Sequence, residues 1–468
     1  MAARSAQLFH ECAVGCHAGR AGRAHHYPSR HAAAQGGQMT LALISFFAVL
    51  LLAFIGVPLG LAMLGIGVGS FALIRGWEPA LAMTGMTIAD LAANENLSVL
   101  PMFILMGTFI YKAEMAEELY DAANAWIGHF KGGLAHATVL ACAGFASMSG
   151  SSIATAATMT KVAMPPMRRH RYADSLAAGC VSSGGTLGAL IPPSFPLLIY
   201  GVLTDQDIGK LFIAGIGPGL LLGALFLLAI WWTVRRDPAK GPRGVRVDWP
   251  TRFAKLGKIW GVLALFTLVV GGLYGGIFTA TEASSIGATG ALVFAASRRK
   301  LSWPLVLESL VEAGKTTAMI FAIAFGGMVF SNFITLSGLT ATLVAWIHAL
   351  HLPLLGVIAV ITCIYIVLGS LMEALAMMLL TIPVFAAVVQ PLGANMIWFG
   401  IYVAMMMEIG MIHPPVGMNV FMVKTMLPDL SIRTIFRGTI PFLVANVVAL
   451  VVVILVPGIA LGLVTLMR

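Results

Sequence analysis

The sequence LGALIPPSFPLLIYG, from Leu187 to Gly201, places two adjacent prolines inside an apolar stretch of the kind that crosses a membrane. A second pair occurs in EIGMIHPPVGMNVF, from Glu408 to Phe421. Proline costs about 3 kcal/mol inside a helix because it removes an amide donor and clashes with the preceding turn, so each pair predicts an interrupted helix. Non-helical backbone survives at membrane depth only where protein or a water-filled cavity satisfies its polar groups. Matched interruptions in two halves of a chain therefore indicate the binding site of a transporter.

The composition is that of a polytopic membrane protein. Of the 468 residues, 59% are hydrophobic and 10% are charged, whereas soluble domains contain about 25% charged residues. A spanning helix needs about 20 apolar residues, and such segments fill most of the chain from Met39 onward, which predicts about ten to twelve crossings plus some re-entrant pieces. We therefore expect an all-α protein with one large membrane domain at residues 39–468.

The basic residues indicate membrane orientation rather than nucleic-acid binding. The net charge is +9, but most Lys and Arg residues lie between apolar runs, in the pattern of the positive-inside rule. Arg168–Arg171 are interpreted in this way as cytoplasmic anchors in preference to anion ligands. Lys258 and Arg298 are both expected on the cytoplasmic side, with two helices between them and an outer turn near 277–285.

Several regions outside the proline pairs shape the domain prediction. Residues 1–38 carry many Arg and His residues and no apolar run, so we interpret them as a disordered or mis-annotated extension, with Met39 as a possible true start. Met39–Ile74 is too long for one span and is interrupted by Gly and Pro, which predicts two packed helices or one bent helix. The basic loop at 235–258 divides the chain into halves, and two spans are expected between Gly314 and Leu350.

The two halves share the order of their interruptions. An apolar run breaks at Ser149 and Gly150 before the pair that begins at Pro192, and another breaks at Gly369 before the pair that begins at Pro414. The intervals of about 42 and 45 residues predict an internal duplication. The alternative is coincidence, because Gly, Ser and Pro are common in membrane helices.

Interrupted helices can bind ions and acids without buried charges. Unwound carbonyl groups beside Ser or Thr hydroxyls suit a hard cation such as sodium, and half-helix amino ends suit a carboxylate. Ionisable residues are scarce in the apolar runs, where each costs about 2.5 to 3.5 kcal/mol. Glu282 is expected at the outer turn, and Glu408 at a rim position in preference to a ligand position. Glu373 fits a structural and an ion-linked role equally well.

Four sequence blocks resemble signatures of the large membrane subunit (M subunit) of tripartite ATP-independent periplasmic (TRAP) transporters, the C4-dicarboxylate permease type. The blocks are SGSSIATAA from Ser149, LGALIPPSFPLLIYG from Leu187, GGIFTATEASSIGA from Gly275 and IHPPVGMNVFMV from Ile412. They follow the order and spacing of that family, and the resemblance covers the chain from about Met39 to its end.

The resemblance implies an inverted-repeat elevator fold with two re-entrant helical hairpins and two broken helices. Its repeats would occupy about 97–234 and 314–468, and its scaffold helices 39–74 and 259–297. It further implies sodium-coupled import of an organic anion, such as a C4-dicarboxylate or a sugar acid, across the bacterial inner membrane. A periplasmic binding protein (P type) would deliver the substrate, a small membrane subunit (Q type) would brace the chain, and Na⁺ would be the coupling ion without any cofactor.

The resemblance also assigns site residues. One sodium ion would lie among Ser149, Ser151, Ser152, Gly188, Ile191 and Pro193, the other among Gly369, Gly410, His413 and Val416, and the substrate near Thr155, Ser194, Glu373 and Asn419. The chain departs from the family pattern at three positions. Thr155 stands where the family usually has Asp, Glu373 where it often has Asp, and His413 where it commonly has Thr.

Two other functions fit parts of the sequence. A stand-alone ion-coupled carboxylate carrier of a related superfamily would also contain paired hairpins, but it would work without a binding protein or a small subunit. A membrane-embedded enzyme that modifies lipids should contain a cluster of carboxylate, His or Arg residues. The nearest approach is Glu408 with His413, whose spacing of five residues does not share a helical face.

Overall fold

The computed structural model describes residues 29–113, 115–370 and 372–466, and the elements in these ranges are helices, with one isolated β-bridge between Lys131 and Arg243. The α-helices are α1 (Ser29–Phe54), α2 (Leu59–Arg75), α3 (Trp77–Ala92), α4 (Val99–Lys112), α5 (Met115–Ile127), α6 (Gly133–Ser149), α7 (Ser152–Arg169), α8 (Asp174–Gly184), α9 (Phe195–Thr204), α10 (Ile208–Arg236), α11 (Trp249–Lys258), α12 (Trp260–Tyr274), α13 (Ala280–Ser297), α14 (Trp303–Leu336), α15 (Leu339–Ala349), α16 (Leu354–Gly369), α17 (Ala374–Val389), α18 (Met396–Ile412), α19 (Met418–Met426), α20 (Ile432–Leu455) and α21 (Gly458–Leu461). Short 3-10 helices occupy Glu95–Ser98, Gly185–Ala189, Pro238–Lys240 and Val464–Leu466.

The beginning of the described chain consists of two helices. Gly56 has a φ of +94°, a value that favours glycine, and it separates α1 from α2. The segment expected to form two helices or one bent helix is therefore two helices. Because α1 begins at Ser29, residues 29–38 are helical rather than disordered as expected. Residues 1–28 of the predicted extension lie outside the described residues.

The same succession of helices occurs in both halves. In the first half, α6 and α7 flank one interruption, α8 and α9 flank the Pro192 pair, and the long helix α10 follows. In the second half, α16 and α17, then α18 and α19 around the Pro414 pair, precede the long helix α20. This order is the one expected of the predicted duplication, which stays a prediction because similar element order does not by itself establish a repeat.

Helix length permits fewer full crossings than the expected ten to twelve. Residues 37–54 of α1, together with α10, α14 and α20, are long and apolar enough to cross a membrane, and two bent pairs raise the number in the described residues to six. The other apolar helices have 10–17 residues, fewer than the roughly 20 needed for a span. The interruptions cause this difference, because each one divides an apolar run that would otherwise be continuous.

The region 314–350 also differs from the expected pair of spans. It contains most of α14, an unbroken helix of 34 residues that begins at Trp303, followed by the short helix α15. Helix α14 packs tightly along α2, and a Cβ atom added at Gly326 would lie 2.0 Å from the carbonyl oxygen of Gly60. Two glycines, far apart in the sequence, therefore allow these helices to touch through their backbones.

Lys258 and Arg298, which flank the pair of helices α12 and α13, lie together at one end of that pair, as predicted. Arg298, at the end of α13, donates a hydrogen bond to the carbonyl of Lys258, at the end of α11. The opposite ends of α12 and α13 meet in the predicted turn, where Thr279 and Glu282 form a reciprocal cap and Glu282 is exposed. The segment expected as a basic loop also contains the short amphipathic helix α11.

Candidate functional site

The first interruption brings three predicted hydroxyl groups together. Helix α6 ends at Gly150, whose φ of +61° favours glycine, and Ser151 then starts α7 by accepting a hydrogen bond from the amide of Ala154 at 3.3 Å. The Ser149 hydroxyl lies 2.8 Å from the Thr155 hydroxyl. The break therefore exposes backbone polar groups beside side-chain oxygens.

The Pro192 pair forms the second interruption. The helical path tightens into the 3-10 helix after α8, the Pro192–Pro193 peptide is cis, and Ser194 caps α9. The buried Ser194 hydroxyl donates to the carbonyl of Ala189 at 2.5 Å and accepts from the amide of Leu197 at 3.4 Å. These bonds satisfy two of the backbone groups that the broken helix would leave unpaired.

The two interruptions of the first half touch each other. A Cβ atom added at Gly150 would lie 2.9 Å from the ring of Phe195, and one added at Gly188 would lie 2.8 Å from the side chain of Ala146. The 3-10 segment thus packs directly against α6. Ile191 packs beside Gly219 of α10, and Pro193 is buried.

The second half repeats this arrangement with different side chains. Helix α16 ends at Gly369, and the Glu373 carboxylate caps α17 by accepting from the amide of Ala376 at 3.3 Å. A Cβ atom added at Gly410 would lie 2.8 Å from the Cα atom of Gly369, so α16 and α18 are in backbone contact. After α18, His413 adopts an extended conformation.

Beyond His413, the chain passes through the cis peptide between Pro414 and Pro415. The buried Nδ1 atom of His413 has no hydrogen-bond partner in the described residues. Val416 is half-buried, and Gly417 starts α19 with a φ of +59°.

Two side-chain contacts connect the halves at these interruptions. The Ser152 hydroxyl, in the first turn of α7, donates to Oε1 of Glu408 on α18 at 2.7 Å. The Asn419 amide, at the start of α19, donates to the carbonyl of Ser182 on α8 at 3.1 Å. Glu408 is 1% exposed, so its expected position at the rim is wrong. The carboxylate is inside because α7 covers it and supplies the serine hydroxyl.

A small cavity of about 60 Å³ lies where the interruptions of both halves meet. The amino ends of α7 and α17 contribute Ser151, Ser152 and Glu373 to its wall, and α18 contributes Glu408 and Met411. None of the described residues that line it is basic. Helix amino ends attract anions, whereas Glu373 and the unpaired Oε2 atom of Glu408 offer oxygen ligands to a cation.

The predicted site residues occupy three kinds of position. Ser151, Ser152 and Glu373 line the cavity, while Ser149 and Thr155 lie beside it through their mutual hydrogen bond. The remaining residues surround the breaks without lining the cavity, namely Gly188, Ile191, Pro193, Ser194, Gly369, Gly410, His413, Val416 and Asn419. Met411 and Ser182 were missed, and Glu408 was considered but expected at the rim in preference to a ligand position. Only Glu408 carried a usable signal, because it is the single charged residue in the 17 residues of α18.

Arg168, expected from the sequence to be an anchor in preference to an anion ligand, forms ion pairs at the other end of α7. Its guanidinium lies 2.9 Å from the carboxylate of Asp174 and 2.6 Å from that of Asp429. The hydrogen bond from Arg168 holds the pKa of Asp429 below its usual range. At 1.5 Å per residue, Arg168 is about 24 Å from Ser152 along the helix, so it does not belong to the cavity.

Comparison with known proteins identifies one family across nearly the whole chain. The family described as "Tripartite ATP-independent periplasmic transporter, DctM component" matches residues 44–459. The C4-dicarboxylate TRAP transporter large permease protein DctM of Pseudomonas aeruginosa is 35% identical over 398 residues, which cover 84% of this chain and 92% of that protein. The 2,3-diketo-L-gulonate TRAP transporter large permease protein YiaN of Escherichia coli is 31% identical, covering 86% and 94%. The YdaH transporter structure from Alcanivorax borkumensis has a TM-score of 0.57 at 14% identity, covering 81% and 89%, which shows similarity of fold alone.

Proposed function

The chain belongs to the family of the DctM component of tripartite ATP-independent periplasmic transporters, and from this premise we propose that it imports an organic anion together with sodium. It is a multi-pass membrane permease and not an enzyme, as its relatives are transporter permeases. The lipid-modifying enzyme considered above is therefore excluded. The substrate we propose is a carboxylate, a C4-dicarboxylate or a sugar acid, the classes named for the relatives from P. aeruginosa and E. coli.

The observation that carries this proposal is the cavity between the interrupted helices of the two halves. It combines the amino ends of α7 and α17 with the oxygens of Ser152, Glu373 and Glu408. The amino ends suit a carboxylate, and a cation beside them would offset the repulsion between that carboxylate and the two glutamates. This combination supports binding of an acid and a cation side by side.

We place one sodium ion at the interruptions of the first half and the other at the interruptions of the second half. One set of ligands is Ser149, Ser151, Ser152, Gly188, Ile191 and Pro193, and the other is Gly369, Gly410, His413 and Val416. Sodium binding would close two re-entrant hairpins, α6–α7 and α16–α17, over the substrate at Thr155, Ser194, Glu373 and Asn419. The closed domain would then cross the membrane as an elevator. Each sodium ion moving down a potential of 100 mV contributes about 2.3 kcal/mol, so two ions more than offset the import of a monoanion.

The proposal includes two partners and a location. A small membrane subunit would hold the scaffold in the bacterial inner membrane, and a periplasmic binding protein would deliver the substrate. A stand-alone carrier remains the alternative, since the cavity alone would serve either arrangement.

Reconstitution separates these possibilities. Proteoliposomes containing this chain, the small subunit and the binding protein should take up radiolabelled C4-dicarboxylate or sugar acid only with an inward sodium gradient. Omission of either partner should abolish uptake. Uptake that persists without both partners would establish the stand-alone carrier, and uptake unaffected by sodium would contradict the coupling.

A glycine substitution tests the second sodium site. Gly410→Ala would place a Cβ atom 2.8 Å from the backbone of Gly369, so the break must open and the sodium concentration for half-maximal uptake should rise. Gly223→Ala in α10 is the matched control, because a Cβ atom there meets nothing within 4 Å. An unchanged sodium dependence of the Gly410 variant would argue against this site.

A further inference from the structure

A crevice with both charged and apolar walls runs along α7 at the basic end of the molecule. One part, of about 450 Å³, lies between α7 and residues of α4, α5 and α14, and a neighbouring part of about 430 Å³ lies between α7, α5 and the basic residues Lys255, Lys258 and Lys300. Lys161 and Val162 of α7 and Glu117 of α5 line both parts. The crevice therefore opens at the end that the positive-inside rule places in the cytoplasm.

Lys161, like Lys258 and Glu117, forms no ion pair in the described residues, whereas several other charged groups of this crevice are paired. Glu308 is 2.9 Å from Lys112, and Asp121 is 3.0 Å from Lys255, so these carboxylates are paired. Lys161 is exposed, and no carboxylate of the described residues lies within ion-pair distance of it, including Glu117 on the facing wall. Its ammonium group remains available for an anion.

One face of α7 connects Lys161 with the cavity. Ala154, Lys161 and Pro165 are exposed, and Ala157 is half-exposed, at helical spacings of three or four residues. This accessible face begins at Ala154, directly after Ile153, which lines the cavity, whereas the buried Ser152 lies on the opposite side of the helix. Lys161 is nine residues beyond Ser152, or about 14 Å at 1.5 Å per residue. An acid that leaves the cavity along this face would meet the ammonium group before it reached the cytoplasm.

We propose that Lys161 is an anion-binding residue that holds the carboxylate of the substrate in the crevice between the cavity and the cytoplasm. The inference rests on the proposed function, since it takes the substrate to be an organic anion. Because the lining carries both signs of charge, the role of Lys161 rests on a direct charge-assisted hydrogen bond from its ammonium group to the carboxylate.

Replacement of the charge, followed by its chemical restoration, tests the proposal. In the reconstituted three-component system, Lys161→Cys should lower the uptake rate about two- to fivefold, the range of one solvent-exposed charge pair. A cationic ethylammonium methanethiosulfonate applied from the cytoplasmic face should restore uptake, and an anionic ethylsulfonate reagent should not. Lys255→Cys, whose lysine is engaged with Asp121, is the matched control and should respond to neither reagent.

The wild-type protein must be treated with both reagents, because Cys363 is exposed while Cys142 and Cys180 are buried. Equal responses of Lys161→Cys to the two reagents, or wild-type uptake by this variant, would overturn the inference. Thermal unfolding of Lys161→Gln checks that any loss is not misfolding, and a marked fall in its stability with unchanged affinity for the acid would also overturn it. Absence of sodium-driven uptake by the wild type would instead refute the proposed function.

Discussion

Glu408 is a single carboxylate in an otherwise uncharged helix, and its environment comes from the other half of the chain. Ser152 supplies the hydrogen bond at 2.7 Å, while the second carboxylate oxygen has no partner in the described residues. A buried acceptor of this kind is stabilising only while its donor remains, because an unpaired polar group costs about 1 to 3 kcal/mol.

This pairing predicts a non-additive double-mutant cycle. Glu408→Ala should lower the free energy of unfolding by about 1 to 3 kcal/mol, because it leaves the Ser152 hydroxyl unpaired. Ser152→Ala should have a similar effect, and the double variant should be less destabilised than the sum of the two. Thermal unfolding in detergent measures each value. Glu408→Gln, which retains an acceptor for the serine, is the control, and strictly additive effects would show that the two residues are not coupled.

Individual site residues were predictable only where the local backbone required them. Ser151 and Ser194 precede helix starts, and their capping role follows from residue type and position. The burial of Glu408 was not predictable, because it depends on a serine 256 positions earlier in the chain. No local pattern contains that information.

The packing of α2 against α14 shows how two helices can depend on glycine. Cβ atoms added at Gly60 and Gly326 would lie 2.6 Å and 2.0 Å from backbone oxygens of the facing helix. Neither contact can be relieved by rotation of a side chain, since both partners are main-chain atoms. The helices must move apart to accept a methyl group at either position.

Gly326→Ala should therefore destabilise the protein by about 1 to 3 kcal/mol, the usual range for overpacking. Gly314→Ala in the same helix meets nothing within 4 Å, and it should be neutral or stabilise by up to about 1 kcal/mol through helix propensity. Thermal unfolding of both variants in the same detergent provides the comparison. Equal stability of the two variants would contradict the close approach of α2 and α14.

Helix interruptions were more predictable than helix lengths. The Pro192 and Pro414 pairs break their helices as expected, because proline cannot donate the required hydrogen bond. The unbroken 34 residues of α14 were expected as part of two spans. Apolar composition is similar in a long helix and in two helices with a short turn, so hydropathy alone does not separate them.

Helices α11 to α13 show which parts of the chain lie at the basic end of the molecule and which part lies at the opposite end. Arg298 bonds to the backbone of Lys258 at the basic end, whereas the turn at Thr279 lies at the other. This arrangement was predictable because hydropathy and the positive-inside rule require only one span and its flanking residues. Contacts between the halves involve residues hundreds of positions apart, which explains why the cavity could not be predicted.

This arrangement predicts opposite accessibility for two exposed residues. Val245, 79% exposed, lies in the basic loop before α11, and Ile277, 71% exposed, lies in the turn between α12 and α13. In a background with Cys12, Cys16 and Cys363 replaced by Ser, Ile277→Cys should react with a membrane-impermeant maleimide in intact spheroplasts. Val245→Cys should react only after permeabilisation. Labelling of both from the same side would refute the predicted orientation.

The hydrogen bond between Ser152 and Glu408 also constrains how this protein can change during evolution. Loss of either residue leaves the other without its hydrogen-bond partner, so selection no longer favours the residue that remains. Substitutions at the two positions should therefore appear together across related permeases more often than chance allows. Covariation of these two positions in a broad set of sequences would support the contact independently of the structure.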